Sequence, residues 1–361
     1  MGHPQHVCPC QQPITEPAAG LAGDRVLLWP PIVHTAGKLA SVAEELALHV
    51  EWGSDRTWLS VRVPERDALD RFLGLTSQHL TEEELESTLA LVGTDTSPTP
   101  REIPAIRSLR KLIAATQSAW FTDVLTNGSL TCAFQPIVSA VQRNIVGHEA
   151  LLRARRSDGT IVTAAQLLSA AKVLDKLVQL DVQARITALE EFATHKLEGL
   201  VFVNFTPTAV YDPRTCLQST WNAARRHGID PRRVVFEVIE SESLPNLKHV
   251  HDVLAAYRER GFRIALDDVG SGYSSLAWFS ALRPDFVKID RHLTHGLSAE
   301  PIKRAVVTKI VELCRTIGAQ VIAEGIETPE DAAAAAEVGV DYVQGYLFGY
   351  PRILSETTVP S

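Results

Sequence analysis

From residue 131 onward, short apolar runs alternate regularly with segments of amphipathic helical periodicity. Eight such runs fall within about 220 residues, which is typical of βα units and of a closed barrel rather than an open sheet. The first two runs are joined by residues 139–144, a segment too short for a crossover helix, so we expect them to pair antiparallel. The pattern therefore predicts an α/β fold, an irregular TIM-like (β/α)8 barrel with one antiparallel strand.

The chain before the barrel region follows a different pattern. Residues 21–95 mix short apolar runs with helical segments, one of which begins at Thr81 with Glu84 three positions later, the spacing of a capping box. We expect a small α+β domain there, whose candidate roles are sensing a signal, dimerising the chain, localising it, or packing without a ligand. For the remaining segments we expect a disordered tail at 1–20, a linker rich in Pro, Ser and Thr with a connecting helix at 96–114, the barrel domain at 115–354 and a second tail at 355–361.

A polar residue stands at the carboxyl end of each of the last seven runs. The carboxyl ends of barrel strands form one rim, and barrel enzymes hold their reactive side chains there. A turn would account for any one of these residues, but seven in succession favour a common site. Alternation along the second run also places Arg153 on the face of Glu149, whereas His148 points the other way and is interpreted as a packing residue. The rim residues are Glu149, Asn204, Glu237, Asp267 with Asp268, Lys288, Glu324 and Gln344.

The carboxylates of this rim predict a metal site. Five of them at one rim would repel each other and raise one another's pKa unless cations compensate their charge. Because the candidate ligands are all oxygen donors, we expect Mg²⁺ or Mn²⁺ rather than Zn²⁺. The adjacent Asp267 and Asp268 suit a site with two ions, in which one carboxylate bridges both, an arrangement that serves phosphoryl displacement. Lys288 is then placed to neutralise a phosphate oxygen or to orient the attacking water.

Overall charge and apolar content narrow the classes of partner. The formal net charge is −8 and no long basic run occurs, so we expect no binding to DNA or RNA. No apolar stretch approaches the roughly 20 residues needed to span a bilayer, and the start of the chain lacks the apolar region of a secretory signal. Five cysteines do not make a disulfide framework in a chain of 361 residues. We therefore expect a cytoplasmic protein without membrane contact.

The amino terminus carries a second candidate for metal binding. His3 and His6 lie beside Cys8 and Cys10, but the Cys-x-Cys spacing is tight and a second ligand pair is missing. A disordered tail is the favoured interpretation of this segment, and metal binding by these four side chains stays open.

Eight short motifs of the barrel region resemble, in order and spacing, the EAL domain, a family of bacterial cyclic di-GMP phosphodiesterases. The resemblance covers residues 115–354 and implies hydrolysis of one phosphodiester bond of cyclic di-GMP to linear pGpG. It further implies two Mg²⁺ or Mn²⁺ ions per active site and a homodimer. The motifs stand at 134–138, 148–153, 203–205, 236–240, 265–276, 287–290, 321–328 and 344–351.

The same resemblance implies a role for each matched residue. One metal is held by residues that match Glu149, Asn204, Glu237 and Asp267. Asp267 is shared with the second metal, which Asp268, Glu324 and ordered waters complete. Lys288 contacts the nucleophilic water and Gln344 supports this network. The other matched positions are Gln135 and Arg153, which hold the substrate's backbone and phosphate, and Glu240, which steadies the loop 269–276 that couples dimerisation to metal and substrate binding.

Four positions depart from the usual family residues, but none of them is a metal ligand. They leave the ligand set complete, which favours an active enzyme over a non-catalytic cyclic di-GMP receptor or an interaction module with the same fold. A different metal-dependent barrel enzyme, such as an enolase-type lyase or a phosphatase, is a third interpretation. Two of the four, Val269 and Ile239, flank the loop 269–276. If this protein differs from the family, we therefore expect the difference in the ordering of that loop, and hence in the rate or the regulation of the reaction. The departures are Val269, Ser271, Ile239 and Ala154.

Overall fold

A computed structural model describes residues 23–118, 120–206, 210, 213–239, 247–271, 279 and 282–354. The contacts divide the chain into two compact units. One contains the described residues up to Gly128 together with Ala165–Leu177, and the other contains Ser129–Ala164 and the described residues from Val178 onward. Within the described part of the chain, no helix is both long and apolar enough to cross a membrane.

The first unit is built around a five-stranded antiparallel sheet in the order β2-β3-β1-β4-β5. The strands carry runs of buried apolar residues, among them Leu28, Leu59 and Val92. The expected capping box is present, because Thr81 and Glu84 each bond the other's backbone N–H at the start of a helix. The elements are β1 (Arg25–Trp29), α1 (Val33–Glu45), β2 (Val50–Trp52), β3 (Leu59–Arg62), α2 (Arg66–His79), α3 (Glu82–Ser87), β4 (Leu89–Gly93), β5 (Arg107–Ser108), α4 (Leu109–Gln117) and α5 (Trp120–Thr126).

The segment 96–114, expected as a linker with a connecting helix, is partly structured. It contains a short 3-10 helix at Ile103–Ala105, the strand β5 and the beginning of α4. Strand β5 pairs with β4, and the Ser108 hydroxyl accepts a hydrogen bond from the Lys111 backbone N–H at the start of α4. This segment therefore continues the first unit's sheet, a pairing of only two residues that the sequence pattern did not reveal.

The second unit is a closed eight-stranded barrel. Going around it, the strands follow the order β6-β7-β9-β10-β11-β12-β13-β14, and β14 pairs again with β6. Strand β6 is antiparallel to both neighbours and every other neighbouring pair is parallel, which confirms the predicted irregular barrel. The strands are β6 (Leu130–Ser139), β7 (Ile145–Arg155), β9 (Leu200–Asn204), β10 (Val234–Ile239), β11 (Arg263–Val269), β12 (Phe286–Ile289), β13 (Gln320–Ala323) and β14 (Tyr342–Gln344).

Two short strands and a series of helices complete the fold. Strand β8 (Ile161–Thr163) pairs with β7, and β15 (Arg352–Ile353) pairs with β6. A large apolar cluster contains outward-facing strand residues such as Val203 and Phe236 and helix residues such as Phe192. The helices are α6 (Ala164–Val173), which belongs to the first unit from Ala165 onward, and α7 (Leu177–Thr194), α8 (Pro213–Arg226), α9 (Leu247–Glu259), α10 (Arg291–Thr294), α11 (Pro301–Ile317) and α12 (Pro329–Glu337).

A smaller apolar cluster inside the barrel shows which face of each strand the rim residues share. Each parallel strand from β9 to β13 contributes one buried residue to it, namely Phe202, Val235, Ala265, Phe286 and Ile322. Side chains two positions apart on a strand share a face. The residue two positions after each member is therefore directed to the same face, nearer the carboxyl end of its strand. Those residues are Asn204, Glu237, Asp267, Lys288 and Glu324.

Candidate active site

Lys288 lies at the centre of the rim, among four carboxylates. Its side chain is almost completely buried, with only 1% exposed. The Nζ atom is 2.7 Å from Glu237 Oε1, 2.8 Å from Glu324 Oε1 and 3.2 Å from Asp267 Oδ1. Glu149 is the fourth, with Oε1 at 3.6 Å from the same nitrogen. One ammonium is thus shared by four buried or half-buried acids.

Three amide side chains extend this cluster, and one of them, Asn204, connects two of the acids. The Asn204 amide donates to Glu237 Oε2 at 3.0 Å and to Glu149 Oε1 at 3.3 Å. The Gln344 amide donates to Glu149 Oε2 at 2.6 Å and to Gln135 Oε1 at 3.1 Å. The Gln135 amide in turn donates to the Gly349 carbonyl at 3.2 Å. Glu149 is therefore fixed from two sides by amide donors.

A β-bulge brings both adjacent aspartates to the rim. Regular alternation would send Asp268 to the opposite face from Asp267, but the pairing of β11 with β12 shifts register between Leu266 and Val269. Asp268 adopts the left-handed region at φ +60°, and its backbone N–H donates to Asp267 Oδ1 at 3.0 Å. As a result, oxygens of Asp267, Asp268 and Glu324 lie within 4.8 Å of one another.

Burial, followed by neighbouring charges, shifts the pKa values of this cluster. Burial raises the pKa of Glu237 well above its usual range, and it also raises that of Glu324 to about 8, although Lys288 opposes both shifts. Burial and the neighbouring Asp267 raise the pKa of Asp268 to about 6. Burial disfavours the Lys288 ammonium, but the surrounding carboxylates outweigh it and hold its pKa well above the usual range. The cluster therefore favours added positive charge.

The donor set fits divalent cations. Five carboxylates against one ammonium leave four negative charges uncompensated when all are ionised, the charge of two divalent ions. The candidate ligand atoms are carboxylate and amide oxygens, which hard cations prefer. The buried Oε1 of Gln344 has no hydrogen-bond partner among the described residues, so an acceptor for a water molecule is also present.

A pocket of about 220 Å³ opens beside this cluster, and part of its lining was not anticipated from the sequence. Arg291 and Glu327 form an ion pair at 3.1 Å. A side chain at Gly325, at φ +65°, would collide with Arg291, so glycine is needed where that arginine crosses the loop. The sequence feature that could have pointed to Glu327 as a pocket residue is its position three residues after Glu324, a predicted rim residue. The lining comprises Gln135, Glu149, Leu151, Arg291, Glu324, Gly325, Glu327, Gln344, Gly345 and Tyr346.

Of the predicted site residues that the structure describes, Arg153 makes its hydrogen bond outside the cluster. Arg153 lies opposite Thr131 on β6, on the face that alternation assigned to it, but its guanidinium donates to the Leu152 carbonyl at 2.8 Å. Glu240 lies outside the described residues, as does most of the loop 269–276. The four His and Cys side chains of the amino terminus are also outside them. The structure brings the remaining predicted residues together: Gln135, Glu149, Asn204, Glu237, Asp267, Asp268, Lys288, Glu324 and Gln344.

Comparison with known proteins gives one family. The family model described as the EAL domain matches residues 118–351. Cyclic di-GMP phosphodiesterase PdeF of Escherichia coli (strain K12) is 30% identical over 226 residues, which are 62% of this chain and 30% of PdeF. The bifunctional diguanylate cyclase/cyclic di-GMP phosphodiesterase MucR of Pseudomonas aeruginosa is 30% identical over 234 residues, 63% of this chain and 34% of MucR. The chain thus spans about a third of the length of these curated relatives.

A solved structure agrees with this match. The cyclic di-GMP-bound crystal structure of a standalone EAL protein from Vibrio cholerae O395 superposes with a TM-score of 0.56 at 30% identity. The match covers 62% of this chain and 92% of that protein.

Proposed function

This chain belongs to the EAL domain family, and from that premise we propose that it hydrolyses one phosphodiester bond of cyclic di-GMP to give linear pGpG. The observation that carries the proposal is the group of four buried or half-buried carboxylates around the single Lys288 ammonium at the carboxyl rim of the barrel, with Asp268 as a fifth acid beside Asp267 and Glu324. A structural role alone does not call for so many acids sharing one cation, because each uncompensated buried charge destabilises the fold. The names of its relatives support the substrate.

Two divalent ions, Mg²⁺ or Mn²⁺, are the proposed cofactors. Asp267 would serve both ions, and Asp268 with Glu324 would complete the second site. When bound, such ions lower the pKa of a water molecule and stabilise the charge that develops on the phosphoryl group. The proposed ligands of the first ion are Glu149, Asn204, Glu237 and Asp267.

The chain's own residues then act on the water and the diester. Lys288 would hold the attacking water through its ammonium and stabilise negative charge on a phosphate oxygen. In the hydrolysis, the water oxygen bonds to phosphorus, the bond from phosphorus to the ribose 3′ oxygen breaks, and that oxygen leaves with a proton. Gln344 would keep Glu149 oriented through the 2.6 Å hydrogen bond between them.

Substrate contacts are proposed for two residues at the edge of the cluster. Gln135 is placed beside the pocket and would contact the backbone of the dinucleotide. Arg153 would contact a phosphate, which requires its guanidinium to leave the Leu152 carbonyl. Glu240 would steady the loop 269–276, so Glu240→Gly is expected to lower activity without removing a ligand.

We extend the proposal to the rest of the chain on the strength of the family resemblance. Residues 115–354 would form the phosphodiesterase domain and act as a homodimer in the cytoplasm. The domain at 21–95 would have a separate role that the barrel residues do not define.

The test is product analysis on the full chain. Purified protein is incubated with cyclic di-GMP and Mg²⁺ or Mn²⁺, with an EDTA control, and the nucleotides are separated by chromatography. We expect pGpG to appear only with metal. Tight binding of cyclic di-GMP without any product would instead favour the non-catalytic receptor, provided that residues 105–361 alone are equally inactive.

A further inference from the structure

A buried charged pair lies on the helix side of the barrel wall, outside the pocket. Asp181 and Arg185 are one turn apart on α7, and Arg185 is completely buried. The Arg185 guanidinium is 2.8 Å from Asp181 Oδ2 and donates from its other terminal nitrogen to the Tyr257 hydroxyl at 2.7 Å. That nitrogen also donates to the Thr220 hydroxyl at 3.0 Å, so the pair joins α7 to α8 and α9.

One contact of this pair leads directly to a proposed metal ligand. Asp181 Oδ1 accepts a hydrogen bond from the Thr206 backbone N–H at 2.8 Å. Thr206 is two residues beyond Asn204, at the point where the chain leaves β9. Asp181 therefore fixes the backbone just after Asn204, whose amide reaches both Glu237 and Glu149.

A second contact leads to the neighbouring strand. The Tyr257 ring packs against Phe236, with ring centroids 4.3 Å apart, and against Phe205 at 5.3 Å. Phe236 immediately precedes Glu237, and Phe205 immediately follows Asn204. The Phe205 backbone N–H also donates to the Glu237 carbonyl at 3.2 Å. Tyr257, held at its hydroxyl by Arg185, therefore supports both strand ends.

A buried ion pair is a weak source of stability, because the loss of hydration offsets the attraction between the charges. Well-packed apolar residues would serve α7 equally well at these positions. What apolar residues would not supply is a hydrogen-bond acceptor for the Thr206 N–H and a fixed hydroxyl on Tyr257. Outer residues of this kind commonly orient the groups that bind a metal.

We propose that Asp181 and Arg185, through Thr206 and Tyr257, position Asn204 and Glu237 and thereby set the affinity of the rim for divalent cations. The inference rests on the proposed function, since it takes the rim as a metal site. Asp181 and Arg185 are positioning residues, because neither touches the cluster itself in the contacts of the described residues.

The test measures the Mn²⁺ dissociation constant of the full chain by calorimetry, together with its melting temperature. Asp181→Ala should weaken Mn²⁺ binding by about tenfold or more, the usual effect of losing an outer partner. Asp181→Asn keeps an oxygen acceptor for Thr206 but loses the charge that pairs with Arg185, so we expect an intermediate effect. Excess Mn²⁺ should restore the rate of pGpG formation in both variants, which a general loss of packing would not allow.

Asp285→Ala is the matched control. Asp285 Oδ2 accepts the Ile264 backbone N–H at 2.9 Å, at the amino-terminal end of β11, the end of the barrel remote from the rim. This variant should lower the melting temperature and leave the Mn²⁺ dissociation constant within about twofold of wild type.

Three outcomes decide the matter. Unchanged Mn²⁺ affinity in Asp181→Asn and Asp181→Ala would overturn the inference while leaving the proposed function intact. Equal weakening in Asp285→Ala would overturn it as well, because the effect would then be general destabilisation. A wild-type protein that binds no Mn²⁺ would refute the metal site itself. If Asp181→Ala does not fold, Asp181→Asn and Tyr257→Phe decide, since both retain most of the packing.

Discussion

Two glutamates, Glu84 in the first unit and Glu324 at the barrel rim, have opposite electrostatic environments. Glu84 accepts the Thr81 backbone N–H at 2.9 Å and the Thr35 hydroxyl at 3.0 Å, and Lys38 Nζ lies 2.9 Å from both of its oxygens. The Thr81 hydrogen bond and Lys38 lower its pKa to about 2. Burial instead raises the pKa of Glu324 to about 8.

The difference lies in how many donors each acid has to itself. The donors of Glu84, which are Thr35, Lys38 and the Thr81 backbone N–H, contact no other carboxylate in these hydrogen bonds. Its negative charge therefore stabilises the fold without any added cation. Glu324 shares the Lys288 ammonium with three other carboxylates. A rim that keeps such an excess of acids is suited to binding positive charge, whereas the Glu84 cluster is complete.

Removing an acid from the rim should have the largest effect. Glu149→Ala deletes a proposed metal ligand, and we expect pGpG formation to fall by at least about 10³-fold. Without metal, the melting temperature should stay equal or rise, because one repelling charge is lost. Chromatography of the products and thermal melts in EDTA measure the two effects. Near-normal turnover would show that the metal assignment is wrong, and Glu312→Ala, exposed on α11, is the control.

Removing the shared ammonium should lower the stability of the metal-free protein but leave metal binding largely intact. Lys288→Ala leaves four acids without their cation, so in EDTA the free energy of unfolding should fall by about 3–5 kcal/mol. Mn²⁺ should restore most of this loss, while turnover stays slow because the attacking water has lost its partner. Denaturant melts with and without Mn²⁺ test this prediction, with the exposed Lys309→Ala as the control. A loss of stability that Mn²⁺ does not repair would contradict it.

Loosening one acid without removing it should have a smaller effect. Gln344→Leu deletes the amide that donates to Glu149 and Gln135, and we expect turnover to fall by about tenfold or somewhat more. Steady-state kinetics at saturating Mn²⁺ provide the measurement. An unaltered rate would mean that Glu149 needs no support from β14.

The smallest effect is expected in the first unit. Glu84→Gln keeps an oxygen acceptor for Thr81 but loses the charge beside Lys38, so stability should fall by about 1 kcal/mol or less. Because folding lowers this pKa, the contribution of Glu84 is present above pH 4.5 and is lost as the pH falls toward about 2. The variant should therefore be less stable than wild type above pH 4.5, and this difference should shrink as the pH falls toward about 2. Glu83→Gln, exposed on α3, is the control and should leave the free energy of unfolding within about 0.5 kcal/mol of wild type. Altered cyclic di-GMP turnover in Glu84→Gln would contradict the separation of the two regions.

Most of the rim could be predicted from the sequence because period-two alternation is a local property. Residues such as Asn204 and Lys288 follow an inward apolar residue by two positions, and the parallel register aligns the end of each strand with that of its neighbour. The sequence also predicts Asp268 at the rim beside Asp267, but the bulge that brings it there depends on pairing with β12.

Other features depend on contacts between distant parts of the chain. The guanidinium of Arg153 turns to the backbone carbonyl of Leu152, a choice of rotamer that alternation does not determine. The ion pair of Arg291 with Glu327 needs a glycine at 325 and a particular loop path. Asp181 and Arg185 read as ordinary polar positions of a helix until α8 and α9 pack over them.

Equilibrium binding of Mn²⁺ to the metal-free full chain is the most direct measurement. The excess of acids at the rim predicts two ions per chain in the wild-type protein and loss of tight binding in Glu149→Ala, with Glu84→Gln indistinguishable from wild type. Wild-type protein that binds no Mn²⁺, or Glu149→Ala that binds it as tightly as wild type does, would contradict the assignment of the rim as a metal site.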